Sequence, residues 1–363
     1  MIPLRSPNPS RDFHMLPRFK AAAVHAAPVF LDSQATTEKA ISIMREAARA
    51  GAELIAFPET YIPAFPVWAA LWPPIDNHDL FVRMAEQSVL VDGPEVARVC
   101  AEARALGVTV SIGISERSAV SVGGLWNANL LIGETGEILV HHRKLVPTFY
   151  EKLVWSSGDG AGLVVAQTRQ GRIGGLICGE NTNPLARFAL MAQGEQVHIS
   201  SWPPMWPTRR PVGGGNFDNV AANRIRASAH CFEAKVFGIV TAGYMDEPMR
   251  AFLIERDRAI ADVIDRTPRA ASFFVDPTGV VFGDELQDQE GIAYAEIDLN
   301  RCVEPKQFHD VVGYYNRFDI FGVTVDRSRL TPARFRDEQQ PGAEAQAILS
   351  VDADAGSNGQ RIG

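Results

Sequence analysis

Arg172-Ile-Gly-Gly-Leu-Ile-Cys178-Gly-Glu-Asn-Thr-Asn-Pro-Leu-Ala-Arg187 begins as one kind of element and ends as another. The apolar run Arg172–Ile177 reads as a short buried strand. A helix is predicted over Asn183–Gln193, closed by Gly194, and Gln196–Ser200 reads as the next strand. Strand, helix and strand in this order make a βαβ unit, which fixes the fold class as α/β. The unit leaves Cys178 at the junction between strand and helix. There the positive end of a helix dipole and nearby backbone N–H groups favour a thiolate. A buried structural thiol fits the same position.

The pattern repeats on both sides. Strands are predicted at Phe19–Val24, Leu54–Phe57, Val108–Ile114, Asn127–Ile132, Ile138–His142, Val236–Thr241, Ser272–Val275, Val280–Phe282 and Gly291–Asp298. Helices are predicted at Thr37–Ala50, capped by Thr36 or Thr37, at Pro94–Leu106, ended by Gly107, and at Phe217–Ala234. Turns such as Glu134-Thr135-Gly136 make hairpins among the βαβ units, so the sheets are expected to be mixed. Pro203–Gly215 reads as a loop, and its glycines lack the Gly-Lys-Ser/Thr ending of a phosphate cradle. One catalytic domain is expected over residues 19–335. An N-terminal extension (1–18) and a mobile tail (336–363) of Gln, Ala, Asp, Gly and Ser flank it. Met15 is an alternative start.

The 363 residues are 46% hydrophobic and 21% charged, with a net charge of −8, and no basic stripe marks a nucleic-acid binder. No apolar run is long enough for a membrane span, and Arg5, Arg11 and Arg18 are not followed by a signal-peptide core. The four cysteines are widely spaced, which predicts reduced thiols and a cytoplasmic protein.

Two more residues stand at strand ends. Glu59 follows Leu54–Phe57 and Pro58 in an apolar setting that would raise its pKa and suit a general base. Lys144 follows His141-His142-Arg143, where a fixed cation can hold a developing negative charge. Glu151 comes seven residues later and can pair with Lys144. Each of the three also fits a solvated loop or a basic surface run. Together with Cys178 they are the parts of an acyl-transfer site: a thiol that attacks, a carboxylate that moves protons, a cation that holds charge. Adjacent strand residues point to opposite faces, so His141 and His142 do not make a metal pair.

At these residues the chain resembles the nitrilase superfamily of carbon–nitrogen hydrolases. The matching segments are Ala56-Phe-Pro-Glu59-Thr, His142-Arg-Lys144-Leu-Val-Pro-Thr and Cys178-Gly-Glu-Asn-Thr-Asn-Pro-Leu-Ala-Arg187, within a resemblance running from Phe19 to Phe321. The resemblance implies a four-layer αββα sandwich and a Glu59–Lys144–Cys178 triad, with Glu151 as a further active-site residue. Thr60-Tyr-Ile-Pro-Ala-Phe-Pro-Val-Trp68, Ser157-Gly-Asp-Gly160 and Gly194-Glu-Gln-Val-His198-Ile-Ser-Ser-Trp202-Pro are most similar to the true nitrilase branch. Hydrolysis of a nitrile to carboxylic acid and ammonia is therefore expected, with no cofactor and no metal. Gly179 would supply an oxyanion N–H, and Tyr61 and Trp202 would line the substrate pocket. Homodimers stacking into spirals are implied as well. An amidase or carbamoylase on the same scaffold, or a non-catalytic protein that kept the fold, are the alternatives. Many nitrilases place Trp directly after the nucleophile; Gly179 departs from that and leaves the choice of nitrile open.

Overall fold

The computed structural model describes residues 16–210, 216 and 218–333. The expectations for the N-terminal extension up to residue 15, for residues 211–215 of the loop, and for the tail from 336 lie outside them. Of the described residues, those up to Arg329 fall in one compact unit, and 330–333 fall outside it.

Among the described residues, twelve strands form two sheets. The first holds β1 (Arg18–His25), β2 (Ala52–Ala56), β3 (Thr109–Arg117), β4 (Leu125–Ile132), β5 (Ile138–Arg143) and β12 (Gly291–Asp298) in the order β12-β1-β2-β3-β4-β5. The second holds β6 (Ala166–Thr168), β7 (Gly171–Ile177), β8 (Val197–Trp202), β9 (Phe237–Ala242), β10 (Ser272–Val275) and β11 (Val281–Leu286) in the order β11-β10-β9-β8-β7-β6. The centres β1-β2-β3 and β7-β8-β9 are parallel, while the flanking pairs are antiparallel, so both sheets are mixed as expected.

Period-2 alternation makes the layers. On β1, Ala21 and Ala23 pack between the sheets with Val197, Ile199, Phe237 and Ile239. Ala22 and Val24 face the other way, onto Met44 and Ala47 of the helix Ser33–Arg49 and Val99 and Ala103 of the helix Pro94–Leu106. The outer face of the second sheet packs Val240 and Phe273 against Ala227 and Cys231 of the helix Asn219–Ala234. Helix, sheet, sheet and helix give the αββα sandwich.

Local chemistry corrects some boundaries. The first helix starts at Ser33 because Asp32 accepts from Ala35 N–H, not because Thr36 or Thr37 caps it. Thr36 instead donates its hydroxyl to Val29 O from inside the helix. Asn183 caps the helix Pro184–Met191 by accepting from Leu185 and Ala186. Helices at His78–Gln87 and Glu247–Arg256 have no counterpart in the sequence pattern. Each buries only two residues, Leu80 and Met84 in one, Met249 and Leu253 in the other, too few to build a readable stripe. Among the described residues no helix is long and apolar enough to cross a membrane.

Candidate active site

β5 runs parallel to β3 and β2, because β4 lies antiparallel between β3 and β5. Glu59 after β2 and Lys144 after β5 therefore leave the first sheet at the same end. Ligands in α/β folds gather at such carboxyl ends. Cys178 leaves β7 of the second sheet, with φ of 50°. Thr60 (φ 46°) and Phe149 (φ 52°) flank the other functional side chains in the same left-handed region. A non-glycine residue held there stores strain and is found preferentially at functional sites.

The three carboxyl and thiol groups converge on one ammonium. Lys144 Nζ donates to Glu59 Oε1 at 2.8 Å and to Glu151 Oε2 at 2.6 Å, with all three side chains buried. Asn127 Nδ2 donates to Glu59 Oε1 at 2.6 Å, and Thr148 N–H donates to Glu151 Oε2 at 2.8 Å. Ligating atoms of Glu59, Glu151 and Cys178 lie within 4.8 Å of one another. Glu59 Oε2 and Glu151 Oε1 are buried with no hydrogen-bond partner among the described residues.

Burial pushes the Glu59 carboxyl up to about 7; Glu151 adds to the rise and Lys144 opposes it. Glu151 is raised, again by burial first. Burial disfavours the Lys144 cation, yet Cys178, Glu151 and Glu59 together hold it well above its ordinary value. Cys178 departs from expectation. Burial first, and Glu59 next, push its thiol well above the ordinary range, outweighing Lys144 and the Gly179 N–H. The surroundings thus disfavour the thiolate of Cys178 rather than favour it.

Cys178, Gly179 and Trp202 line a cavity of about 220 Å³ with Pro203, Trp206 and Ala270. Gly179 has an ordinary negative φ region, and a Cβ there would lie 2.8 Å from Thr148 Oγ1. Tyr61 does not join them. Its ring packs on Phe57 in the core of the first sheet, and its hydroxyl donates to Ala27 O at 3.2 Å. It sits two residues beyond Glu59, where the chain has turned back towards that core.

His141 and His142 diverge, to Glu116 and Glu180 respectively. Glu180 accepts from His142 Nε2, Leu145 N–H and Ile177 N–H, and so ties the segment after Lys144 to the strand that delivers Cys178. Behind Cys178, Asn181 Nδ2 donates to Cys178 O and Leu176 O. Asn181 Oδ1 is bound by His198 Nε2 and Ser200 Oγ. Glu195 bridges His198 Nδ1 and His230 Nε2, whose rings stack 3.7 Å apart. Sequence reading finds none of these links. The available signal is polar residues at buried strand positions, Asn127 in β4 and His198 in β8.

The chain matches the carbon–nitrogen hydrolase family over residues 20–307. It is 35% identical to a bromoxynil-specific nitrilase of Klebsiella pneumoniae subsp. ozaenae, covering 86% of each chain. It is 35% identical to an aliphatic nitrilase of Rhodococcus rhodochrous, over 86% of this chain and 84% of the relative. It is 35% identical to an arylacetonitrilase of Hypocrea virens, over 85% and 92%. Saccharomyces cerevisiae Nit3, a nitrilase-superfamily member, shares the fold with a TM-score of 0.62 at 18% identity, covering 81% of this chain and 94% of Nit3. Agreement along nearly the full length of both partners, rather than over a motif alone, places this chain in the carbon–nitrogen hydrolase family, within its nitrilase branch.

Proposed function

We propose that the chain hydrolyses organic nitriles to carboxylic acids and ammonia, with Cys178 as nucleophile, Glu59 as general base, and Lys144 and Glu151 completing the site. The observation that carries the reading is the buried Glu59–Lys144–Glu151 cluster, whose two carboxylates lie within 4.8 Å of the Cys178 thiol at the wall of a cavity. Relatives named for bromoxynil, aliphatic and arylacetonitrile substrates support nitriles as the class.

Glu59 takes the thiol proton as sulfur attacks the nitrile carbon, and a thioimidate forms once that proton reaches nitrogen. The raised carboxyl of Glu59 suits this transfer, because a base titrating near 7 can both accept and return a proton. Water, deprotonated by Glu59, adds to the thioimidate carbon. Lys144 and the N–H of Gly179 stabilise the charge that develops there. Expulsion of ammonia leaves a thioester, and a second water releases the acid and restores the thiol. If the carbon–sulfur bond breaks first, the product is the amide. Glu151 Oε1, which lacks a hydrogen-bond partner among the described residues, then steers water or the departing nitrogen.

The same reading includes homodimers that stack into longer assemblies, supported by the exposed run Tyr314, Tyr315, Phe318 and Phe321. It also includes a cytoplasmic location, supported by four free cysteines. Matched pairs of nitriles and amides, followed for ammonia, acid and amide, test the activity. Acid and ammonia from nitriles, with much slower turnover of the amides, is the expected outcome. Turnover of amides alone would replace the reading with an amidase.

A further inference from the structure

The cavity at Cys178 shares part of its wall with another. This second, more open cleft of about 420 Å³ is walled by Val146, Pro147, Phe149 and Lys152. Thr148, Gly179 and Arg226 belong to the walls of both. They make a neck where the two adjoin, and Gly179 adds no side chain to it.

Arg226 supplies the charge at this neck. It projects from the helix Asn219–Ala234, whose Asn219 and Asn223 line the inner cavity with it. Its Nε donates to Thr182 Oγ1 at 2.8 Å and its Nη1 to Asn223 Oδ1 at 3.3 Å. Its guanidinium lies 5.3 Å from the Trp202 ring centroid. These contacts fix the plane of the group. Burial pushes it down. Arginine remains protonated under such a shift. The other charged groups facing the cleft are Lys152 and Glu180. The Glu180 carboxylate is already held by His142 and two backbone N–H groups. In a chain of net charge −8, this cationic neck is a local feature.

Resting on the nitrilase reading, we propose that Arg226 anchors a carboxylate of the substrate. The preferred nitriles are then short cyano acids, held with the nitrile carbon at Cys178 and the carboxylate on the guanidinium. A planar guanidinium matches a carboxylate through two parallel N–H···O bonds, which fixes orientation as well as affinity. The reaction adds two waters to the nitrile and releases ammonia, so the product is a dicarboxylate.

The test compares kcat/KM for a series of ω-cyano acids of increasing chain length with their methyl esters, which are neutral and of similar shape. At one chain length the acid is expected to exceed its ester by about tenfold or more, the range of a charge-assisted hydrogen bond. Arg226→Gln is expected to erase that ratio, with Arg226→Lys intermediate. A wild-type preference for esters at every length, or an unchanged ratio in Arg226→Gln, overturns the proposal. A binding arm separates this from failure of the nitrilase reading. Cys178→Ala is titrated calorimetrically with butanedioate and with butanediamide. Dicarboxylate binding that is lost on adding Arg226→Gln upholds the anchor even if no nitrile is turned over. Equal or absent binding of the two ligands sinks it, even if neutral nitriles are hydrolysed.

Discussion

Glu59 and Glu151 share one ammonium, and the charge of each is felt by the other. Glu151 is among the causes that raise Glu59, after burial. In the proposed mechanism Glu59 works as a base only when ionised, so kcat/KM should fall as pH drops through about 7. In Glu151→Gln the neighbouring negative charge is gone, ionised Glu59 is easier to form, and this acid limb should move to lower pH even as the rate drops. A pH–rate profile of both proteins checks it; a limb at the same or higher pH would show that Glu151 does not act on Glu59. At this scale the sequence was informative where chemistry coincides with a strand end: Cys178, Glu59 and Lys144 all follow one. It misled at Tyr61, because an aromatic residue near a carboxylate suits a pocket and a core equally. It was silent on Asn127 and on the Asn181–His198–Glu195–His230 chain. Those partners are far apart in sequence, and their pairing depends on how β8 and the helix Asn219–Ala234 pack.

Among the elements, β3 shows how closely the site is fitted. A Cβ on Gly113 would lie 2.3 Å from Thr60 N and 2.4 Å from Pro58 O, both backbone atoms of the turn that carries Glu59. Gly113→Ala must therefore displace that turn. We expect a loss of about 1–3 kcal/mol in stability, typical of overpacking. The fall in kcat should exceed the change in KM, because small misplacements of a reacting group are costly. Thermal unfolding and steady-state kinetics measure both, and wild-type values of Tm and kcat would refute the tight approach. Most strands were legible because apolar residues recur with period 2 or as short buried runs, and Gly291–Asp298 and Pro94–Leu106 emerge with the boundaries read from sequence. The helices at His78–Gln87 and Glu247–Arg256 were not, since their two-residue contacts with the core leave no face to read.

Across the whole molecule, the buried Glu195 pair of contacts ties β8 to the outer helix, and it makes stability depend on pH. Burial first, then His198, lowers His230 from its ordinary 6.5 to about 4. Burial pushes Glu195 up, but His198 and His230 outweigh it and bring the carboxyl from 4.5 to about 2. For both groups the unfolded chain binds its proton at a higher pH than the folded one. Stability should therefore fall on acidification, through His230 between about 6.5 and 4 and through Glu195 between about 4.5 and 2. His230→Gln keeps an N–H donor without a titrating ring. Its stability should be flatter than wild type between pH 6.5 and 4, by roughly 1.4 kcal/mol per pH unit at most. Denaturant titrations at stepped pH read this slope, and parallel curves for the two proteins would rule out His230 as its source. The sandwich itself was legible at this scale because the order of strands and helices, and the resemblance over most of the chain, agree with the packing of the two sheets.

The most direct measurement at the centre of this mechanism is intact-mass analysis of the enzyme quenched in acid during turnover of a nitrile. Wild-type protein should carry one acyl group as a thioester, mapped to Cys178 by peptide analysis. Cys178→Ala should carry none and release no ammonia above background, because in the proposed mechanism the substitution removes the sulfur that attacks the nitrile carbon. Ammonia release that persists in Cys178→Ala, or an acyl group found on another residue, would contradict it.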